Sequence, residues 1–355
     1  MIPARPRILF VANAGPEVGG GHVMRCITLA RALGERGADC AFVCTPAVAA
    51  LLEVFGPEIP REEATSLEPD DIADALTGVR FDAVVFDHYG LSRGHHEALA
   101  KGRSSLVIDD LADRPLAANV VLDSGPGRQA SDYALFTDQK TRRLLGPEYA
   151  PVRPEFAHLR NAALSRRGGE VRRVLVALGL TDVGGVTARV VERLRQRLSG
   201  VALDVVLGAG APSLPGLLKI AARDPRMTIH VDTQEMARLI LEADIAIGAA
   251  GSSIWERGVL GLPSAILVLA QNQQGAADAL AERKAALVID VNADNLDGRI
   301  DRAIVRLMTD APLRARLSAA SAAICDGLGA GRAAEAFLQV IASRDSLPHP
   351  EPSQP

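Results

Sequence analysis

Aromatic side chains are scarce in this sequence: they are 3% of its 355 residues, against 48% for the hydrophobic set as a whole. Its cores must therefore be built from Ala, Val, Leu and Ile, the composition of parallel sheets covered by helices. Cysteine is equally sparse. Cys26, Cys40, Cys44 and Cys325 show no CxxC spacing and no companion histidines at metal-ligand intervals, which speaks against a cysteine-bound metal and fits buried thiols in a reducing compartment. Long apolar runs are missing too. Leu262 to Ala270 is less than half of the roughly 20 residues a membrane-spanning helix needs, and Ile8 to Ala12, behind Arg5 and Arg7, is too short for a secretion signal. Basic residues are scattered over a chain of net charge -4 and pI near 6.0, leaving no electrostatic footprint for nucleic acid. These absences predict a soluble, cytoplasmic protein with no membrane span and no nucleic-acid partner; a monomer is the default expectation.

What is present is a repeated strand-loop-helix pattern. Arg7 to Ala12 reads as a buried first strand, followed by a glycine loop, a helix from Val23 to Gly34 and a strand at Ala41 to Cys44. A helical stretch near Asp70 to Leu76 precedes strands at Ala83 to Asp87, Ser105 to Asp109 and Val120 to Asp123. Between Gly146 and Gly169, Pro147, Pro151, Pro154 and a polar run interrupt both periodicities, which predicts a domain boundary. Strands then restart at Arg173 to Leu178, Leu203 to Leu207, Thr228 to Val231, Ile245 to Ile247, Ser264 to Val268 and Leu287 to Asp290. Helices near Leu296 to Met308 and Pro312 to Ala323 follow. The expected fold class is α/β: two Rossmann-like domains, 1–160 and 170–325. A last helix, 326–342, is expected to pack back toward the first domain, and the proline-rich tail 343–355 to be disordered.

Two stretches carry candidate chemistry. Gly19-Gly20-Gly21-His22 lies between a strand and a helix, where glycines let a ligand approach the backbone and free N–H groups attract anions. A histidine there feels the positive end of the helix, which disfavours imidazolium and leaves a ring able to accept a proton. The plainer reading is a tight turn with His22 capping or solvated. The second stretch is Gly248-Ala249-Ala250-Gly251-Ser252-Ser253, leading into Ile254-Trp255-Glu256-Arg257. Its N–H groups and hydroxyls suit a diphosphate, and Glu256, one turn inside, suits a ribose diol. An ordinary capped helix is the alternative.

Further groups fall at strand ends, where open α/β sheets bind ligands. Asp87-His88-Tyr89 ends one strand. Asp109 and Asp110 end the next, and either order the cleft with Arg114 or pair at the surface. Gln271-Asn272-Gln273-Gln274 offers neutral amides to a sugar or is a polar loop before a helix. Gly179-Leu180-Thr181-Asp182 is a ligand loop or a helix cap. Lys140, Arg142 and Arg143 read as a solvated face.

Taken together, these stretches resemble the UDP-2,4-diacetamido-2,4,6-trideoxy-β-L-altropyranose hydrolases of pseudaminic acid biosynthesis, which act in flagellin glycosylation. The resemblance rests on Gly21-His22-Val23-Met24-Arg25, Asp87-His88-Tyr89-Gly90-Leu91, Ile108-Asp109-Asp110-Leu111, Leu145-Gly146-Pro147-Glu148-Tyr149 and Arg153-Pro154-Glu155-Phe156. In the second half it rests on Gly251 to Arg257, Leu260-Gly261-Leu262-Pro263, Asn272-Gln273 and Asp326-Gly327 with Gly329 and Arg332. It implies a GT-B-like fold, similar to the glycosyltransferase that makes lipid II, with UDP on the second domain and the sugar on the first. By the same resemblance His22 is the catalytic histidine, Tyr89 and Asn272 lie near the sugar, and Ser252, Ser253 and Glu256 lie near UDP. The chain departs from the family pattern at Ala12-Asn13-Ala14-Gly15, Asp123-Ser124-Gly125, Gly179 to Asp182 and Gln271.

These readings give His22, Tyr89 and Asn272 as candidate catalytic residues. Gly20, Gly21, Arg25, Asp87, His88, Asp109, Gly179, Thr181, Gly251, Ser252, Ser253, Glu256 and Gln273 are candidate substrate contacts, with no metal and no cofactor. The expected reaction is hydrolysis of a UDP-sugar by a water that His22 activates, with inversion. A glycosyltransferase and an inactive nucleotide-sugar-binding protein are the alternatives.

Overall fold

Two all-parallel sheets organise the chain in the computed structural model, which describes residues 5–15 and 18–345. The first sheet has seven strands: β1 (Arg7–Ala12), β2 (Asp39–Cys44), β3 (Arg61–Glu63), β4 (Ala83–Asp87), β5 (Ser104–Ile108), β6 (Val120–Asp123) and β7 (Arg142–Leu145), in the order β3-β2-β1-β4-β5-β6-β7. The second has six: β8 (Arg173–Ala177), β9 (Ala202–Leu207), β10 (Met227–Val231), β11 (Ile245–Ala249), β12 (Ser264–Val268) and β13 (Leu287–Asp290), in the order β10-β9-β8-β11-β12-β13. Both orders reverse direction once, between β1 and β4 and between β8 and β11. Such switch points open a crevice beyond the strand ends.

The central strands β1, β4, β8, β11 and β12 are largely apolar because helices cover both faces. Ile8, Leu9, Phe10 and Val11 are fully buried, as are Val84, Val85 and Phe86 beside them. Phe10 stacks on Phe42 of the neighbouring strand with ring centroids 5.0 Å apart, one of the few aromatic pairs this chain can make. The helix Pro154–Ser165, inside the stretch expected to be a break, packs on the second sheet's layer through Phe156 and Ala163. The last helix, Gly329–Asp345, returns to the first core: Ala333, Ala334 and Phe337 pack with the helix Gly21–Gly34. The start of the last helix meets the chain at Ala150 so closely that a Cβ on Gly329 would stand 2.3 Å from the Ala150 carbonyl oxygen.

Two short strands, β3 and β7, were not expected. Arg142 and Arg143 lie on β7; Lys140 and Arg142 are exposed, as expected of a solvated face, while Arg143 is half-buried. Arg142 donates to Gln339 Oε1 at 3.0 Å and Arg143 to Thr137 Oγ1 at 2.9 Å. Of the expected tail 343–355, residues 343–345 continue the last helix, and residues 346–355 lie outside the described residues. Among the described residues no helix is long and apolar enough to cross a membrane.

Candidate functional site

The first crevice is built from the end of β4 and the helix after β1. Asp87, the last residue of β4, is fully buried. One of its oxygens, Oδ1, lies 2.6 Å from His22 Nδ1 and accepts from Arg25 Nη2 at 2.7 Å; Oδ2 accepts from Arg25 Nε at 2.6 Å. His22 and Arg25 share a helix face because they are three residues apart. Burial alone would raise the Asp87 pKa, but Arg25 and then His22 outweigh it and hold the carboxyl well below the usual range. An ionised carboxylate only accepts, so a proton lies on His22 Nδ1, and in the neutral ring that leaves the lone pair on Nε2. Nε2 makes no hydrogen bond among the described residues, and 7% of the His22 side chain stays open.

Asp110 extends this network. Its Oδ2 accepts from Arg25 Nη1 at 2.7 Å and from the Tyr89 hydroxyl, and the Tyr89 ring meets His22 edge to face with centroids 4.7 Å apart. Burial, and next the Asp110 charge, push the Tyr89 pKa up, so this phenol stays a donor. His88 has the opposite tautomer from His22, since its Nδ1 accepts from Gly90 N at 3.1 Å. Burial is the largest cause that lowers its pKa, which keeps a cation away from the His22 ring.

Asp109, expected as a substrate contact, is corrected by its neighbours. It is fully buried and saturated, accepting from Arg114 at 2.7 Å, Ala112 N at 2.8 Å and the Tyr133 hydroxyl at 2.8 Å. Arg114 in turn donates to the Leu91 carbonyl at 2.9 Å, so Asp109 fixes the loop after β4 while Asp110 reaches the crevice. Asp110 lies at the bend that follows, where its side chain meets Arg25 and Tyr89 instead of the partners of Asp109.

The second crevice faces the first. A Cβ on Gly21 would stand 3.6 Å from Ser252 Oγ, and one on Gly19 would stand 3.7 Å from Thr181 Oγ1. Gly20 has Leu51 on one side and Leu180 on the other. The glycine loop thus meets both switch-point loops of the second sheet, Gly179–Asp182 and Gly251–Ser253. Asp182 shapes the former, accepting from Thr187 N at 2.9 Å and Ser213 N at 3.1 Å. In the latter, the backbone N–H groups of Gly251, Ser252 and Ser253 make no hydrogen bond among the described residues.

Arg257 was not singled out by the sequence reading, yet it builds that loop. Buried beneath it, Arg257 donates to the Ala249 carbonyl at 2.6 Å and to Ser253 Oγ at 2.9 Å, and burial lowers its pKa to about 10. A Cβ at position 248 would lie 2.6 Å from Arg257 Nη1, so a larger residue there would displace the guanidinium from this loop. Glu256 is one turn on, its Oε1 3.4 Å from Arg153 Nη2. Gln273 accepts from Leu269 N at 3.0 Å, and its amide nitrogen lies 3.8 Å from where a Cβ of Gly251 would be. Asn272 is exposed and makes no hydrogen bond among the described residues. Among those residues no three His, Cys, Asp or Glu side chains gather as a metal site would require.

Two Rossmann-like domains with facing switch-point loops define the GT-B arrangement, and solved structures bear out the class. MurG of Acinetobacter baumannii matches at a TM-score of 0.65 and 16% identity, covering 94% of this chain and 99% of that one. The calicheamicin glycosyltransferase CalG4 matches at 0.62 and 17%, covering 97% and 100%. S. aureus MnaA, solved with UDP, matches at 0.64 and 12%, covering 97% and 99%.

No family model matches the chain. It is similar to the UDP-2,4-diacetamido-2,4,6-trideoxy-β-L-altropyranose hydrolase of Campylobacter jejuni, at 24% identity over 279 residues, 78% of this chain and 97% of that protein. It is also similar to the spore coat polysaccharide biosynthesis protein SpsG of Bacillus subtilis, at 26% over 334 residues, 90% and 94%. An uncharacterized protein of Methanocaldococcus jannaschii is 25% identical over 277 residues, and the chain spans only 56% of its length. The resemblance drawn from the sequence motifs is thereby matched by a relative that bears the hydrolase's name.

Proposed function

We propose that this protein is a UDP-sugar hydrolase that cleaves a UDP-linked deoxy-diacetamido sugar to free sugar and UDP, within nonulosonic acid biosynthesis for flagellin glycosylation. The observation that carries this reading is the tautomer of His22. With its proton held on Nδ1 by Asp87, the ring offers Nε2 to a water in a cleft whose other wall is the Gly251–Ser253 loop.

In this account Nε2 takes a proton from water as its oxygen attacks the anomeric carbon. The bond from that carbon to the β-phosphate oxygen breaks, its electron pair leaves with UDP, and the configuration inverts. The free N–H groups of Gly251, Ser252 and Ser253 stabilise the charge that grows on the departing diphosphate. Glu256 accepts from the ribose hydroxyls through Oε2, which has no partner among the described residues. Asp110 is added to the site as the residue that aims Tyr89 and Arg25, and Asn272 and Gln273 face the sugar from the second domain. Support comes from the similarity to the Campylobacter hydrolase.

The glycosyltransferase reading has the CalG4 likeness behind it. Incubation of the purified protein with the UDP-sugar alone separates the two. The hydrolase reading expects steady UDP release over many turnovers; release only on addition of an acceptor would favour the transferase.

A further inference from the structure

The motif Arg153-Pro154-Glu155-Phe156 has no part in the reaction as described so far. Arg153 is the N-cap residue of the helix Pro154–Ser165, and only 12% of its side chain is exposed. Its Nη2 lies 3.4 Å from Glu256 Oε1, its Nη1 3.2 Å from Glu155 Oε1, and its guanidinium 5.2 Å from the centre of the Phe156 ring.

Two nearby arginines are used differently. Arg160 donates to the carbonyls of Val259, Cys325 and Ala322, and Arg167 to those of Leu260, Ala243 and Ile240. Those guanidiniums tie chain segments together. Arg153 donates to no carbonyl among the described residues, leaves its buried Nε unpartnered, and turns its charge to a carboxylate whose other oxygen is free.

We infer that Arg153 is a positioning residue of the nucleotide pocket, holding Glu256 as an oriented carboxylate that selects a ribonucleoside diphosphate over its 2′-deoxy counterpart. This deepens the function proposed above and rests on its assignment of Glu256 to the ribose. Burial raises the Glu256 pKa; Arg153 and then Arg257 oppose it, and Glu155 adds to it. Other charged groups on the helices around it are engaged elsewhere. Arg257 is spent on Ala249 and Ser253, Arg238 on Glu235 and Glu242, and Arg314 on the carbonyls of Leu307, Met308 and Gly169. Without Arg153, Glu256 would take up a proton at higher pH and lose its charge-assisted bonds to the ribose.

The test is calorimetric titration of the full chain with UDP and with 2′-deoxy-UDP across the pH range, for the wild type, Arg153→Lys, Arg153→Met, Arg153→Gln and Glu256→Gln. The wild type should prefer UDP about tenfold, and Arg153→Lys should keep that preference near neutral pH. The two neutral variants should lose it at a higher pH than the wild type does, as the pH falls through their further raised Glu256 pKa, until both nucleotides bind equally. Either neutral variant suffices if the other does not fold. Equal weakening of both nucleotides at every pH, or an undiminished preference at every pH, would overturn the proposal while leaving the ribose assignment intact. A wild type without preference, or a Glu256→Gln variant with full preference, would overturn both.

Discussion

Asp87 accepts from His22 Nδ1 at 2.6 Å and, through both oxygens, from Arg25. One carboxylate therefore sets a tautomer and neutralises a buried guanidinium at once. The sequence reading gave the control of His22 to the helix end; the nearest charges to the ring are instead Asp87 and Arg25, whose Nη2 lies 3.2 Å from Nδ1.

Asp87→Asn tests this double role. The amide cannot hold a charge against Arg25, and turned to donate to Nδ1 it would move the ring proton to Nε2. Turnover of UDP-sugar should fall about 100- to 10,000-fold, and the unfolding free energy by about 3–5 kcal/mol, as when one partner of a buried pair is removed. Steady-state kinetics with urea unfolding would check both.

Glu256→Ala should act on affinity instead. Losing a charge-assisted bond to the ribose costs about 1–3 kcal/mol of UDP binding, with turnover at saturating substrate little changed. Calorimetry that returns wild-type UDP affinity would remove Glu256 from the site.

His96 supplies a pH prediction away from the cleft. Fully buried against Phe86, with ring centroids 4.9 Å apart, it has no hydrogen-bond partner on either nitrogen among the described residues. Burial, with Arg114 next, lowers its pKa from 6.5 to about 3. The unfolded chain then binds a proton that the folded chain refuses. Stability should be intact above pH 6.5 and fall, through this group, by up to about 1.4 kcal/mol per pH unit as the pH drops toward 3. His96→Leu should flatten that limb in urea unfolding across the range. An unchanged slope would mean the ring charges in place.

The parts of the fold legible in the sequence are those dictated by local chemistry. Runs such as Arg7–Ala12 and Ser264–Val268 are too short and too apolar to be anything but buried strands, and both glycine-rich loops announce a strand-loop-helix junction. The strands β3 and β7 were hidden because Arg61–Glu63 and Arg142–Leu145 carry the charges of sheet edges. Within the site, the choice between Asp109 and Asp110 depends on which side of the chain the crevice lies, and no spacing reveals that. Arg153 is 103 residues from Glu256, a pairing made only by the packing of the helix Pro154–Ser165 on the second domain.

The most direct measurement of the central claim is hydrolysis in water enriched in oxygen-18, with the products separated and the sugar's first-formed anomer read by NMR. Attack of a His22-activated water at the anomeric carbon places the heavy oxygen in the free sugar, none in UDP, with the anomer inverted. His22→Ala should slow the reaction about 100- to 10,000-fold while UDP affinity stays nearly intact. Label in UDP, a retained anomer, or undiminished turnover in that variant would contradict the account.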